Sequence, residues 1–379
     1  MPIACRAKAV HGPQFCTTDC PATAPCGVFA YVRVAAPEDL PPYDPLAVDV
    51  AVLDMNHGWP NLGHDSLVHA VLDAGCDLLE PLLGTGLRVR VLSFDVRRSR
   101  LLPEPPGGRF ALYLGTGGPG HIEPERNDGV ADWSQGIHED PAWREPFFRL
   151  LDAIRDDQEA ALLAVCHTFG LLCLWSGAAV PVLRGPEKGG KSAGILENVL
   201  TPEARAHPWF GRFARELPDG RRFRILDNRL FDLIPAEPLP GGFVALGREA
   251  SNGNGAPAGS LTMLEIARDA AGVLPRILGV NHHPEIVDRE RQRMILDQMR
   301  ARGEVSDAWY NERMEALTRA YPDEDSDRRL HLTSDFTLLG PLRFHLHRQI
   351  RRRAESLGLR VGLHEDEVVE ALAEPAALA

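Results

Sequence analysis

The sequence predicts an α/β fold: a doubly wound, mostly parallel sheet with a sharp strand-to-helix turn, plus a helical C-terminal extension. Three observations carry that reading. Strand-like and helix-like runs alternate from residue 47 onward, as parallel sheets require, because each crossover takes a helix. Residues 160–165 form an apolar run of buried-strand length, followed at once by Cys166 and an apolar segment that stops at Gly177. Residues 276–286 are a further strand that delivers His282, His283 and then Glu285.

Taken in order, residues 1–45 read as an irregular extension, given Pro37, Pro41, Pro42 and Pro45. Four of the seven cysteines crowd there, but the spacing Cys16-x3-Cys20-x5-Cys26, with no histidine pair, fits no standard zinc site. The sheet begins at Ala47 with AVDVAVLDM and breaks at Asn56-His57-Gly58-Trp59-Pro60. Residues 61–74 predict an amphipathic helix with Leu62, Leu67, Val68, Val71 and Leu72 inward and a stop at Gly75. His57, His64 and His69 lack a clustered carboxylate or a ligand spacing and read as loop and helix-surface residues. Residues 87–94 and 110–114 are the next strands, and residues 121–135 a polar loop able to cover a site. Residues 140–157 predict the helix feeding the Cys166 strand, with Trp133 and Trp143 as pocket wall or core. Strands are expected at 222–234, 243–246 and 260–267, with 251–259 a flexible connection.

Beyond Glu285 the character changes. Residues 287–302 and 307–321 predict charged amphipathic helices, and 340–357 a third that carries Arg343, Arg348, Arg351, Arg352 and Arg353. A solvated or partner-docking face accounts for such a run, and a phosphate or nucleic-acid site is the sharper alternative. His345 and His347, two apart, should point to different sides of that helix. Residues 363–379 read as a frayed tail. The expected division is therefore an extension at 1–45, an α/β domain at 46–290 and helices at 291–379.

Composition sets limits. A chain of 379 residues with 44% hydrophobic content can bury a large core. A formal charge of −12 argues against nucleic acid as a main partner, because phosphate binding needs a basic surface. No apolar run approaches a membrane span, and the first 30 residues lack the apolar core of a signal peptide. These features, with reduced cysteines, predict a cytoplasmic protein.

The chemistry concentrates in three stretches. A tight turn between strand and helix pushes Cys166 out of the sheet, and the following helix start favours its thiolate. The alternative is a structural cysteine beside a core helix. Residues 109–120, RFALYLGTGGPG, are a strand running into a glycine-rich loop whose N–H groups can converge on an oxyanion. His283 and Glu285 are two apart, so on an extended backbone the carboxylate can orient the imidazole.

In that order the stretches resemble the class I glutamine amidotransferases. GGPG (Gly117, Gly118, Pro119, Gly120) looks like the oxyanion loop, AVCHTFG (residues 164–170) like the nucleophile segment, and His283-Pro284-Glu285 like the His-Glu element. The resemblance spans roughly residues 48–286. It implies a Cys166–His283–Glu285 triad on a doubly wound sheet, with an oxyanion held by N–H groups near Gly118 and of His167. The expected reaction releases ammonia from glutamine or a related amide through a thioester, with no cofactor and no metal. A separate ammonia-accepting synthase subunit is the implied partner, since the chain shows no acceptor domain, unless the protein works alone as a hydrolase. The C-terminal helices are the expected docking surface.

The departures from the family pattern Gly-x-Cys-x-Gly-x-Gln are specific. Ala164 stands for the first glycine, Thr168 for the second, and Gly170 for the glutamine that helps hold the substrate. The triad thus supports thiol chemistry better than it supports glutamine as substrate, and a non-catalytic binding protein on the same fold is an alternative. Cys166-His167 also resembles the intracellular-protease-like branch of the superfamily, where the adjacent histidine serves as base, so His167 competes with His283. The family places substrate-closing residues near Asp227, Asn228 and Arg229.

One motif points elsewhere. Residues 185–192, GPEKGGKS, fit the phosphate-cradling pattern G-x4-G-K-[ST], which would put Lys191 on phosphates and Ser192 on magnesium. That pattern needs a helix directly afterwards, and residues 193–201 carry Gly194, Asn198 and Thr201 in place of a clean helical stripe. A hairpin turn is the expected structure.

Overall fold

The computed structural model describes residues 8–9, 15–16, 29–59, 61–79, 85–185, 190–250, 259–319 and 324–359. Cys5, Cys20, Cys26 and the 363–379 tail lie outside them. A two-residue pair, β1 (Lys8–Ala9) and β2 (Phe15–Cys16), comes first. Then follow β3 (Phe29–Val34), β4 (Ala47–Asp54), α1 (Leu62–Leu79), β5 (Arg88–Asp95), β6 (Phe110–Gly115), α2 (Arg144–Asp156), β7 (Ala161–Val165) and α3 (His167–Ser176). The middle of the chain gives β8 (Ala179–Leu183), β9 (Ser192–Leu200), α4 (Pro202–Ala206), α5 (Phe210–Glu216), β10 (Arg222–Arg229), β11 (Phe231–Pro235), β12 (Val244–Glu249), β13 (Leu261–Arg268) and β14 (Pro275–Val280). Four helices close it: α6 (Arg289–Ala301), α7 (Asp307–Arg319), α8 (Glu324–Ser334) and α9 (Gly340–Ser356).

The main sheet has the order β10-β9-β12-β13-β14-β7-β6-β4-β5-β3. From β14 to β3 all neighbours are parallel, and β13, β12, β9 and β10 extend the sheet antiparallel. From β4 the chain steps outward to β5, and from β6 it steps the other way through β7. The direction therefore switches between β4 and β6, where ligands of such sheets bind beyond the strand carboxyl ends. This is the doubly wound α/β fold.

Residues in β4 alternate between two cores, as a pleated strand covered on both faces must. Val48, Val50 and Val52 pack with Leu67, Val68 and Val71 of α1 and with Leu342, Leu346 and Ile350 of α9. Ala51 and Leu53 pack on the other side with Phe147 and Leu151 of α2 and Phe169 and Leu172 of α3.

Several expectations need correction. The stretch FAYVRV, inside the segment expected to be irregular, is β3, paired in parallel with β5 at the edge of the sheet. Helix α1 runs through Gly75 to Leu79, because Gly75 serves a close approach: a Cβ there would lie 2.5 Å from the Phe29 ring. The 222–234 strand is two strands. β10 pairs with β9 in the main sheet, and β11 pairs with β8 in a separate ribbon. His64 is buried, with its two ring nitrogens 2.8 Å from Asp65 Oδ1 and from Ser93 Oγ, and His69 is buried as well.

The Arg-rich helix α9 forms part of the covering layer, against α1, β4, β6 and β14. His345 and His347 are both buried. His345 Nε2 donates to the Pro275 carbonyl at 2.8 Å, and burial brings its pKa down to about 4, which keeps it neutral. Arg348 and Arg352 pair with Glu159, and Arg353 meets the Tyr43 hydroxyl. The charge run ties the helix to its surroundings. Among the described residues no helix is long and apolar enough to cross a membrane.

Candidate active site

Four adjacent parallel strands, β14, β7, β6 and β4, end on the same side, and the predicted site residues follow their carboxyl ends. Cys166 comes directly after β7 and directly before α3, with φ 48° and ψ −99°. An L-residue held at such a φ is strained by roughly 1–3 kcal/mol, and the neighbouring bonds enforce it. Its N–H donates to Val280 O at 2.8 Å, and its carbonyl accepts from Gly170 N at 2.9 Å. The strand–turn–helix geometry is that of a nucleophile elbow, and Cys166 is partly exposed. Cys173, farther along α3, is the contrast: fully buried, with its thiol pushed well up by desolvation.

His283 leaves the end of β14, and its N–H donates to Leu226 O of β10 at 2.9 Å. Its Nδ1 lies 2.8 Å from Glu285 Oε1, and both side chains are buried. The contact is made by a tight turn at Pro284–Ile286, in place of the extended backbone that the spacing suggests. Burial opposes a charged imidazole here. The Glu285 carboxylate and the Cys166 sulfur outweigh it, by charge and by hydrogen bonding, and hold His283 well above the ordinary histidine range. His283 Nε2 is buried with no nitrogen or oxygen partner among the described residues, as is Glu285 Oε2.

Gly117 locates the three groups relative to one another. A Cβ at this position would lie 2.9 Å from His283 Cε1 and 3.5 Å from Cys166 Cβ. The glycine loop, the thiol-bearing carbon and the imidazole thus meet around one point, and a larger residue would press on the ring.

The loop after β6 rests on β4. Met55 N donates to Thr116 Oγ1 at 2.9 Å, and Gly118 sits so close that a Cβ would overlap Met55 O. Gly120, at φ +84°, gives its N–H to Gln135 Oε1 at 2.9 Å and so shapes the loop. The N–H groups of Gly117, Gly118 and, at the start of α3, His167 make no backbone–backbone hydrogen bond among the described residues. The frame beneath is a buried network that no local pattern announces. Arg97 Nη1 donates to Met55 O at 2.8 Å and Pro119 O at 2.6 Å, while Nε and Nη2 grip Glu139 at 2.6 and 2.7 Å. Glu139 also accepts from Asn127 Nδ2 at 2.7 Å and Trp143 Nε1 at 2.9 Å, so Trp143 is core.

His167 differs from His283. Burial, then the positive charge of Arg97 and the neighbouring His121, push it well below the usual range. It stays neutral, and among the described residues its Nε2 has no partner and no carboxylate perturbs it. Thr168 fits where the family has glycine because residue 115 is glycine: a Cβ on Gly115 would overlap Thr168 Cγ2. Thr168 Oγ1 donates to Thr116 O at 2.7 Å, stitching α3 to the loop. At Gly170 the space belongs to Ile122, whose Cδ1 lies 2.5 Å from where a Cβ would stand. The polar loop does cover the nucleophile helix, and Ile122 is its point of contact.

Asp227 and Arg229 are buried in a charge cluster of their own, flanking exposed Asn228. Arg229 lies 2.8 Å from Glu249 and 3.3 Å from Asp227, and Ser192 Oγ donates to Asp227 Oδ2 at 2.6 Å. Ser192 starts strand β9, so no helix follows the GPEKGGKS stretch and the helix that a phosphate cradle requires is absent there.

No family model and no curated protein matches the chain. Several solved structures resemble it distantly, three of which follow. SMU.1228c is 13% identical, covering 81% of this chain and 99% of that one, with a TM-score of 0.40. A GMP synthase protein from Thermoplasma acidophilum is 14% identical over 68% and 96%, with a TM-score of 0.35. The glutaminase domain of Trypanosoma brucei CTPS with bound acivicin is 9% identical over 73% and 96%, at 0.38. At such identities and TM-scores these likenesses carry no argument about the site.

Proposed function

We propose that the protein is a thiol amidohydrolase of the glutamine amidotransferase type, acting through Cys166, His283 and Glu285. The observation that supports this best is the pairing of a strained, accessible cysteine with a buried histidine. That histidine's Nδ1 is held 2.8 Å from Glu285, and its Nε2 has no nitrogen or oxygen partner. In this reading Cys166 reacts as the thiolate once its proton has passed to His283, which Glu285 orients. The thiolate attacks the amide carbonyl, and the oxyanion is received by the N–H groups of Gly117, Gly118 and His167; one such donor is typically worth about 3 kcal/mol. Collapse of the adduct breaks the C–N bond as the imidazolium protonates the departing ammonia. Neutral His283 then takes a proton from water, which hydrolyses the thioester and restores the starting pair.

Ile122 over Gly170 favours an amide other than glutamine, because the space of the family's substrate-holding side chain is filled. The test is ammonia release over glutamine, asparagine and γ-glutamyl compounds, with Cys166→Ala as control. An unchanged rate in that variant overturns the assignment. Stoichiometric modification of Cys166 by a glutamine-derived diazo-ketone separates an enzyme from a non-catalytic relative.

A further inference from the structure

The C-terminal helices lie beyond residues 48–286, the stretch that resembles the amidotransferases, yet they reach the turn that carries His283 and Glu285. Helix α8 packs on β10, where Thr333 Oγ1 donates to Arg224 O at 2.7 Å. Between α8 and α9 the chain does not break. Asp335–Leu339 is a π-helical turn, in which Gly340 N reaches back to Asp335 O. Such turns are rare and mostly occur singly inside α-helices, frequently at functional sites. Two contacts fit this one in place. A Cβ on Gly340 would lie 2.7 Å from Asp335 O and 2.7 Å from Trp209 Cζ2, so the approach needs a glycine. Trp209 Nε1 in turn donates to Phe336 O at 2.8 Å.

Two hydroxyls at this turn hold the residues on either side of the reactive histidine. Ser334 Oγ donates to Pro284 O at 2.6 Å, and both residues are buried. Thr337 Oγ1 gives its one proton to Thr333 O at 2.7 Å, so toward His282 Nε2, 3.2 Å away, it acts as acceptor. His282 therefore carries its proton on Nε2. Burial, then the charges of His283 and Arg229, bring its pKa down to about 3 and keep it neutral. With the His283 N–H on Leu226 O, the consecutive residues 282 to 284 are each fixed by a hydrogen bond to a neighbouring element. That backbone sets the ring between them: Nδ1 meets Glu285 at 2.8 Å, and Cε1 stands against Gly117. A misplacement of about 1 Å at a reacting group can cost on the order of 100-fold in rate.

We propose that Ser334 and Thr337 are positioning residues for His283, which makes the C-terminal helices part of the machinery of the thiol site. This role rests on the thiol chemistry proposed above, and the experiment separates the two. Alkylation of Cys166 by iodoacetamide is followed against pH at the Cys166 peptide by mass spectrometry, where the midpoint reports the thiol coupled to its histidine. The wild type should titrate below about 8.5, the value of a free thiol, and His283→Ala should return the midpoint to it. Ser334→Ala and Thr337→Val should each raise the midpoint by roughly half to one unit, a loss of about three- to tenfold in rate near neutral pH. Ser334→Thr, which keeps the hydroxyl, should restore it. Thr333→Val is the structural control: it removes the hydroxyl that bonds Arg224 O, so it should lower the urea midpoint and leave the pH profile in place. Thr337→Val, which is isosteric, decides by itself should Ser334→Ala fail to fold. Profiles that match wild type, or shifts no larger than that of Thr333→Val, overturn the positioning role and leave the thiol chemistry standing. A wild-type midpoint at or above about 8.5 that His283→Ala does not move overturns the thiol chemistry and the positioning role with it.

Discussion

Two neighbouring regions at the carboxyl ends of the strands treat their polar atoms in opposite ways. Under the glycine loop, Arg97, Glu139, Asn127 and Trp143 satisfy one another completely, although the Arg97 and Glu139 side chains have no exposed surface. Around the elbow, His283 Nε2, His167 Nε2 and Glu285 Oε2 are buried and lack a nitrogen or oxygen partner. Each such atom costs about 1–3 kcal/mol, and native proteins contain few. The difference separates a frame from what it presents. The frame is closed so that the loop keeps one shape, and on the function proposed above the groups it presents are the ones that meet substrate.

Paired substitutions test that separation most sharply. Cys166→Ala should lower ammonia release about 10⁴-fold or more while leaving the urea midpoint close to where it was, since alanine keeps the elbow's backbone conformation. Arg97→Met should do the reverse in emphasis, destabilising the protein by roughly 3–5 kcal/mol because Glu139 is left buried without its cation. Equal stability losses in the two variants would erase the distinction between frame and site.

A smaller effect is expected at the border between the regions. Gly170→Gln forces a side chain into the space of Ile122 and should cost roughly 1–3 kcal/mol in urea unfolding. Adding Ile122→Ala should recover part of that loss and raise activity toward glutamine relative to other amides. No recovery would mean that Ile122 is not what fills the space.

The mildest change probes the charge of His283. Glu285 raises its pKa, so Glu285→Gln lets the imidazolium lose its proton at lower pH. Activity that needs the charged ring should then be lost earlier on the alkaline side, moving the upper limb of the pH–rate profile down. A limb that stays in place would remove Glu285 from that role.

The sequence is informative where a function is written locally. Strand, cysteine and helix are contiguous, and His283 and Glu285 are two residues apart, so the elbow and the His-Glu pair can be read from short windows. Contacts between distant positions cannot. Arg97 and Glu139 are 42 residues apart, and each looks like a surface charge in its own window. Thr168 looks too bulky until Gly115 is set beside it, and Gly170 looks like a loss until Ile122 is. The edge strand β3 is hidden by the prolines that follow it. Helix α9 misleads because its arginines suggest a solvated face, whereas Leu342, Leu346 and Ile350 bury the opposite one and Glu159 and Tyr43 collect the charges.

The near absence of lysine has a practical side. With side-chain primary amines confined to three positions, an amine-reactive cross-linker has few places to start, and one of them, Lys191, is exposed directly before β9. Whatever macromolecule settles over that turn would be tethered there preferentially. The same scarcity makes the conjugate's peptide map short enough to interpret by inspection.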